Sequence, residues 1–162
     1  MKEKSIELLN LAVKDEMTAV HQYMYFHFHA DDKGLDLLAG LFKKTAIDEM
    51  KHVEELAERI LFLGGDVNMK EIDEVKDITD VKEMLATAKG MEEGSIADYN
   101  EWANACAQNN DIGTSKIFEE LIYDEENHFD KFDNEMENLE KYGDNYLALQ
   151  SIERSKSMSN TE

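Results

Sequence analysis

The stretch Asp48-Glu49-Met50-Lys51-His52 occurs a second time, 76 residues further along the chain, as Asp124-Glu125-Glu126-Asn127-His128. A single Glu, Glu16 or Glu92, lies 33 residues before the Glu of each copy. A Tyr follows each single Glu after seven residues. The chain therefore contains an internal repeat of five positions, Glu, Tyr, Asp, Glu and His, at one fixed offset.

The spacing within this repeat predicts helices that carry metal ligands. Glu and His three residues apart lie on one face of a helix. Tyr23 lies two helical turns after Glu16 on the same face, and Tyr99 lies two turns after Glu92. A spacing of 33 residues allows one helix to end in a turn and a second helix to return antiparallel beside it. Each of the two legs, with about 15 residues, would span roughly 22 Å. Two facing hairpins then supply four Glu and two His, the ligand set of di-iron sites in ferritin-like bundles. Two imidazoles favour iron or manganese over magnesium.

Chance is the alternative explanation for a single Glu-x-x-His pair. The chain has 37 Asp and Glu, so such pairs arise on solvated helix faces without any metal. Two copies with matching Glu and Tyr at equal offsets favour a metal site. Glu93 lies beside Glu92 and offers an alternative carboxylate, but the repeat offset selects Glu92.

Composition narrows the class of protein. The 162 residues suit one domain, and the absence of Pro favours long helices. The single Cys, Cys106, excludes an intrachain disulfide framework and a Cys-based zinc or iron–sulfur site, and we interpret it as a small buried hydrophobe. A net charge of −20 disfavours DNA binding; the acidic residues could concentrate ferrous iron or simply keep the protein soluble.

The pattern of the chain predicts five helices and no membrane segment. Periodicity and turn residues place the helices at residues 4–30, 35–63, 80–109, 114–142 and 146–153. Residues 65–79 form a long crossover, and Asp80 caps the third helix with Glu83 three residues on. We expect an all-α fold, an antiparallel four-helix bundle with one long crossover and a short fifth C-terminal helix, in residues 1–153, and a polar, disordered tail at 154–162. No apolar run could span a bilayer and no signal peptide is evident, so we expect a cytoplasmic protein.

From about residue 6 to residue 152 the chain resembles bacterioferritin, a haem-binding family of the ferritin-like di-iron superfamily. The phrases that carry the resemblance are Asp15-Glu16-Met17-Thr18-Ala19-Val20-His21-Gln22-Tyr23, Ile47-Asp48-Glu49-Met50-Lys51-His52, Glu58-Arg59-Ile60-Leu61-Phe62-Leu63, Asp124-Glu125-Glu126-Asn127-His128 and Asn145-Tyr146-Leu147. The resemblance implies six ligands for two irons in each subunit: Glu16, Glu49, His52, Glu92, Glu125 and His128. It also implies that Tyr23 lies close to them.

The resemblance implies a haem and an assembly as well. In the family two subunits hold one haem b between a Met from each, here Met50, and 24 subunits built from dimers form a hollow iron-storing shell. Met50 follows Glu49, so it points about 100° away from the metal-facing side. Met17 and Met24 are offset in the same way and form a stripe with it, although packing in a core or a dimer seam is the alternative. Lys44 stands where many members carry an inward-facing His that assists mineralisation, whereas Asp48 remains, so the resemblance at an inner-surface iron site is partial.

The function implied is that of a ferroxidase that stores its product. Ferrous iron binds, dioxygen or peroxide oxidises it, and ferric oxide collects in the shell; Tyr23 could supply an electron or position water, and a ferredoxin-type protein is a possible reductant. A Dps-like mini-ferritin that coats DNA is disfavoured by the charge and the fifth helix. A rubrerythrin-like peroxidase would normally need a Cys-rich module, which one Cys cannot provide. A structural bundle without metal is the remaining alternative.

Overall fold

Five α-helices account for most of the chain in the computed structural model, which describes residues 2–69 and 73–160. They are α1 (Lys2–Asp32), α2 (Asp36–Phe62), α3 (Val81–Gln108), α4 (Ile112–Tyr142) and α5 (Asp144–Ser159). α1 packs along α2, and α3 packs along α4, so the bundle consists of two helical hairpins. The crossover between them has no regular secondary structure where it is described. The predicted all-α architecture, with one long crossover and a C-terminal helix, is confirmed.

Each hairpin reverses direction at one residue with a positive φ. Gly34 has a φ of 74° between α1 and α2, and Asn110 has a φ of 58° between α3 and α4. Gly and Asn are the residues that adopt this left-handed conformation most readily. The two tight turns hold the helices of each hairpin antiparallel and adjacent.

Side-chain caps fix where α3 and α4 begin. The Asp80 carboxylate accepts a hydrogen bond from the Glu83 N–H at 3.1 Å, as the capping pattern predicted. Asp111 accepts from the Thr114 N–H at 3.1 Å, and Arg59 at the end of α2 binds Asp111 at 2.7 Å. Because Asp111 is the cap, α4 starts at Ile112 and not at residue 114 as expected.

The hydrophobic core is divided into two clusters along the bundle. One is centred on Tyr23, Phe26, Phe42 and Phe132, and the other on residues such as Leu9, Leu56, Ile60, Tyr99 and Phe118. Cys106 is fully buried in the second cluster, as expected for a small hydrophobe. Buried Glu and His side chains on all four long helices are not members of either cluster. The functional site is therefore a polar region enclosed by the bundle.

Helix α5 is longer than the sequence indicated. It extends to Ser159, so the expected end at residue 153 is wrong and residues 154–159 are helical. Arg154 explains the extension, because its guanidinium donates to the Asp31 carbonyl at 2.8 Å and lies 3.6 Å from the Asp36 carboxylate. Residues 161 and 162 of the expected tail lie outside the described residues, and the domain boundary at 153 stays a prediction. No helix in the described ranges is long and apolar enough to cross a membrane.

Candidate metal centre

The six predicted ligands lie together in the middle of the bundle. Their possible ligand atoms form two groups, and within each group all atoms lie within 4.8 Å of one another. The groups are Glu16, Glu49, His52 and Glu125, and Glu49, Glu92, Glu125 and His128. Every one of these side chains is buried, with His52 the most exposed at 5%. Since Glu49 and Glu125 belong to both groups, the arrangement has the form of two adjacent sites that share two carboxylates.

Helical spacing brings each imidazole against three carboxylates. The Nδ1 atom of His52 lies 3.0 Å from Glu49, 3.1 Å from Glu125 and 3.4 Å from Glu16. The Nδ1 atom of His128 lies 3.1 Å from Glu49, 3.4 Å from Glu125 and 3.8 Å from Glu92. Both rings therefore direct Nδ1 towards the space that the carboxylates surround.

Several of these buried atoms have no hydrogen-bond partner. Both carboxylate oxygens of Glu49, one oxygen of Glu125 and Nδ1 of His52 lack one, although the ionic contacts given above are short. A buried polar atom without a partner is costly. A cation among these atoms would satisfy all of them, and oxygen with imidazole nitrogen is a donor set that suits iron. The residues present fit a pair of metal ions.

Without a metal ion, bound protons compensate for part of the negative charge of these carboxylates. Burial and the charge of Glu16 raise the pKa of Glu49 to about 8, and the same two causes raise the pKa of Glu125 well above its ordinary value. Burial opposes protonation of His128, but the close carboxylates of Glu125, Glu49 and Glu92 outweigh it and raise its pKa to about 12. Metal binding must therefore release protons from this centre.

The Asp of each repeat contacts the imidazole of the other repeat. Asp124 lies 3.2 Å from Nε2 of His52, and Asp48 lies 3.6 Å from Nε2 of His128. A carboxylate at Nε2 favours the tautomer that leaves Nδ1 free for a metal. Neither Asp was predicted as a ligand of the di-iron site, although both are positions of the repeat.

Two buried tyrosines likewise contact the glutamate of the opposite repeat. The Tyr23 hydroxyl donates to Glu92, and the Tyr99 hydroxyl donates to Glu16. Burial and the neighbouring carboxylates raise the pKa of both tyrosines well above the ordinary value, so both remain donors. The predicted proximity of Tyr23 is thus observed. Tyr99 was part of the repeat but was not predicted as a site residue.

Cavities reach the centre from two sides. One, of about 270 Å³, lies between α1, α3 and the crossover and has Glu16, Glu49 and Glu92 in its lining. The other, of about 510 Å³, lies between α2 and α4 and is lined by both imidazoles together with Asp48, Lys51, Asp124 and Lys131, among others. The centre thus presents carboxylates to one cavity and imidazoles to the other.

The predicted haem ligand lies on the outer face of α2. Met50 is 55% exposed, so its thioether is accessible to a group outside the chain. Met17 and Met24 are partly buried and pack against the two core clusters. Packing accounts for these two side chains, as the alternative expected, and a stripe of three methionines beside the haem stays a prediction. Lys44 lies exposed on the same helix as Met50.

Comparison with known proteins agrees with this geometry. Residues 6–142 match the ferritin-like domain family. The chain is 36% identical over 147 residues to the bacterioferritin of Desulfovibrio desulfuricans, covering 91% of this chain and 82% of that protein. It is 35% identical over 147 residues to the bacterioferritin of Rhodobacter capsulatus, covering 90% and 91%.

Solved structures of the same two relatives have closely similar folds. The D. desulfuricans structure, which describes the diiron site in different catalytic states, has a TM-score of 0.90 at 35% identity and covers 93% of this chain and 88% of its own. The R. capsulatus structure, with a metal-free dinuclear site and a haem iron in a crystallographic special position, has a TM-score of 0.88 at 32% identity and covers 91% and 93%. Sequence, fold and the buried carboxylate–imidazole cluster lead to one conclusion: this chain belongs to the bacterioferritin family.

Proposed function

We propose that this protein oxidises ferrous iron at the buried centre and stores the ferric product. The observation that carries the proposal is the pair of overlapping ligand groups, each within 4.8 Å, in a buried region where several ligand atoms have no hydrogen-bond partner. The diiron site described for the D. desulfuricans relative supports the same chemistry.

Each residue has a distinct role in this proposal. Glu16 and His52 would complete one ion site, Glu92 and His128 would complete the other, and Glu49 and Glu125 would bridge them. When bound, the iron pair supplies two electrons for the reduction of dioxygen or peroxide. Carboxylates suit this because they bind both iron oxidation states.

The surrounding residues hold the ligands and accept or release protons. Tyr23 and Tyr99 orient Glu92 and Glu16 through their hydroxyl hydrogen bonds. Glu49, whose pKa is raised to about 8, and the protonated imidazoles are the groups that lose protons when a cation enters. The bundle's two apolar clusters enclose the centre.

The decisive test compares two neighbouring glutamates. Glu92 is buried in the centre, whereas Glu93 is exposed on the same helix. Glu92→Ala should remove fast ferrous oxidation, followed by absorbance of the ferric product, and should leave the helical content unchanged. Glu93→Ala should match the wild type. Normal oxidation in the Glu92 variant, or its loss in the Glu93 variant, would refute the assignment.

A haem shared between two subunits is the second part of the proposal. The exposed Met50 can contribute one thioether, and a second copy of the chain can contribute the other. Met50→Leu keeps the size and apolarity of the side chain but removes the ligand. The variant should oxidise iron and carry no haem, as measured by the Soret absorbance of the purified protein. Full haem content in this variant would show that another residue is the ligand.

We further propose that the chain assembles into a hollow shell of 24 subunits. Leu149 and Ile152 are exposed apolar side chains on α5, at 58% and 50%, which suits contacts with other copies of this helix. Truncation before Gly143 should leave folded dimers and weaken the shell, measured by light scattering. A wild-type mass near twelve subunits would instead support the mini-ferritin alternative.

A further inference from the structure

We propose that Lys51 makes the two ion sites of the centre unequal, because it competes with His128 for the carboxylate of Asp48 and so weakens the site that His128 completes. Lys51 is then a positioning residue, since it acts on the imidazole through Asp48. The inference rests on the proposed function, because it concerns the two ions of the proposed centre. We call the ligand group of Glu16, Glu49, His52 and Glu125 the His52 site, and that of Glu49, Glu92, Glu125 and His128 the His128 site.

The two copies of the repeat differ at the residue that precedes each His. Lys51 precedes His52, whereas Asn127 precedes His128. Each lies three residues after the Asp of its own copy, so it shares a helical face with that Asp. The first copy therefore places a cation beside its Asp, and the second copy places a neutral amide there.

In the first copy the carboxylate of Asp48 is shared. The ammonium of Lys51 donates to Oδ1 of Asp48 at 3.0 Å. Oδ2 of the same carboxylate lies 3.6 Å from Nε2 of His128, which is beyond the roughly 3.2 Å that N–H···O hydrogen bonds usually reach. Asp48 thus gives a hydrogen bond to Lys51 and only a longer ionic contact to His128.

In the second copy Asp124 is left to its imidazole. The amide of Asn127 donates to the Tyr123 carbonyl of its own helix at 3.0 Å, so it does not compete for Asp124. Asp124 lies 3.2 Å from Nε2 of His52, within hydrogen-bond distance. Among the residues that the structure describes, Asp124 makes no other ion pair. The carboxylate behind His52 is therefore closer than the one behind His128.

The inner side of each ring shows the same inequality. Nδ1 of His52 has three carboxylates within 3.4 Å. Around Nδ1 of His128 the third carboxylate, that of Glu92, lies at 3.8 Å. Lys51 does not touch these atoms, so this is an independent observation. His52 is held more closely than His128 on both sides of its ring.

The contact at Nε2 matters because it supports the nitrogen that faces the centre. A carboxylate there fixes the tautomer and orientation of the ring and makes Nδ1 more basic, and its removal typically costs about 10–100-fold in metal affinity. Lys51 shares Asp48 and does not remove it, and its side chain is 63% exposed, so the ion pair is weak. We expect a penalty of about fivefold at the His128 site.

The test isolates each site first, because two neighbouring cations repel each other and would make even equal sites bind unequally. Glu92→Ala leaves the His52 site, and Glu16→Ala leaves the His128 site. Co²⁺ reports binding without oxidation and is followed by calorimetric titration. The His52 site should bind Co²⁺ about fivefold more tightly than the His128 site, and equal affinities would overturn the inference.

Removal of the lysine should then strengthen one site only. Lys51→Met in the Glu16→Ala chain should tighten Co²⁺ binding about fivefold, because Asp48 becomes available to His128. The same change in the Glu92→Ala chain should alter the affinity by less than about twofold, since a screened charge acts weakly and on both sites alike. Lys51→Arg keeps a cation beside Asp48 and should restore the original affinity.

Lys131 provides the matched control. It is an exposed lysine that lines the same cavity between α2 and α4. In the described part of the chain it makes no ion pair. Lys131→Met changes the net charge by the same amount as Lys51→Met, so it should affect the two isolated sites equally.

The reciprocal substitution moves the competition to the other copy. Asn127→Lys places an ammonium three residues after Asp124, where it can pair as Lys51 pairs with Asp48. In the Glu92→Ala chain this change should weaken Co²⁺ binding at the His52 site about fivefold. Unchanged binding would show that a lysine at this position does not control the imidazole.

A spectroscopic measurement on the protein with both glutamates intact tests the cause directly. With Co²⁺ bound, the Nε2–H proton of a ligating imidazole gives a strongly shifted NMR signal, and its exchange with solvent reports the hydrogen bond that it donates. The proton of His128 should exchange faster than that of His52. Lys51→Met should slow the exchange of the His128 proton and leave that of His52 unchanged.

The outcomes separate this inference from the proposed function. Tighter Co²⁺ binding at the His128 site alone, with slower exchange of the His128 proton, supports the inference. Equal tightening of both sites by Lys51→Met would overturn it, because net charge would then explain the effect, and so would unchanged affinity. Either result leaves the metal centre standing. Failure of the wild type to bind Co²⁺ at the centre would overturn the proposed function and the inference with it.

Discussion

The two hairpins of the bundle present the same groups to the centre and different surfaces to the outside. Each contributes a single Glu, a Tyr, an Asp and a Glu-x-x-His pair. Among the described residues, the first hairpin exposes seven large hydrophobic side chains: Leu11, Phe28, Leu37, Ile47, Met50, Leu61 and Phe62. The second exposes three: Ile112, Tyr123 and Tyr142. The residues that face the centre are therefore the same in the two hairpins, whereas the residues that face outward differ. The apolar outer face of the first hairpin suits a contact with another subunit.

The polar contacts of the centre mostly run from one hairpin to the other. Tyr23 of the first donates to Glu92 of the second, and Tyr99 of the second donates to Glu16 of the first. His52 likewise contacts Asp124 of the opposite hairpin. Each hairpin is therefore incomplete alone, and the following changes test how equivalent the two hairpins are.

Replacement of Glu16 or Glu92 should have the largest effect on metal binding. Glu16→Ala removes a member of the first ligand group only, and Glu92→Ala removes a member of the second only. Each variant should bind one Co²⁺ per chain in place of two and lose affinity at the damaged site by about a hundredfold or more, as even residues behind the ligands cost 10–100-fold. Calorimetric titration measures both quantities. If only one of the two variants loses an ion, the halves are not equivalent.

Removing the carboxylate behind each imidazole should have the next largest effect. Asp124→Asn and Asp48→Asn should lower metal affinity by about 10–100-fold, because the imidazole loses the group that fixes its tautomer. The effect of Asp124→Asn should be the larger, since Asp124 lies 3.2 Å from its imidazole and Asp48 lies 3.6 Å from its own. Competition with a coloured chelator measures the affinities. Equal or reversed effects would show that the distances do not govern the interaction.

We expect the stability of the metal-free protein to depend on pH because of Glu49, which belongs to both ligand groups. The pKa of Glu49 is raised from 4.5 to about 8, so the folded protein favours its protonated form. Its contribution to stability is therefore complete below pH 4.5 and is lost as the pH rises through about 8, by up to about 1.4 kcal/mol for each pH unit. Urea unfolding of metal-free protein across this range measures it. Glu49→Gln should flatten the dependence, and an unchanged slope in that variant would contradict the assignment.

The tyrosines should have the smallest effect. Tyr23→Phe and Tyr99→Phe each remove one hydroxyl donor from a buried carboxylate, which should cost about 1–2 kcal/mol and weaken metal binding roughly fivefold to thirtyfold. Tyr25→Phe is a control, because Tyr25 is only partly buried and its ring packs on His29. Co²⁺ titration compares the three variants. A loss for Tyr23→Phe without one for Tyr99→Phe would show that only the first tyrosine matters.

Local features of this chain could be predicted and distant contacts could not. The cap at Asp80 was predictable because its partner, Glu83, is three residues away. The start of α4 was missed because Arg59, from another helix, supports Asp111 as the cap. The end of α5 was missed because Arg154 binds Asp31, which lies 123 residues earlier.

The centre was predictable because its residues repeat. The six proposed ligands recur at one offset, and so does the pair Tyr23 and Tyr99. The partner of each tyrosine depends on how the hairpins face each other, which one sequence does not contain. Nor does the sequence distinguish Gly90, which borders a cavity, from Gly113, which is packed against a side chain.

The crossed tyrosine contacts bear on how such a centre can arise. A hairpin with one Glu, one Tyr and one Glu-x-x-His could pair with an identical copy of itself about a twofold axis. Because the tyrosine contacts join one hairpin to the other, that symmetric pair would already form both of them, as isologous interfaces form every contact twice. Joining the two copies through a crossover would then preserve the centre and free each outer face to change separately. The repeat at a 76-residue offset is the pattern that such a gene duplication leaves in a chain.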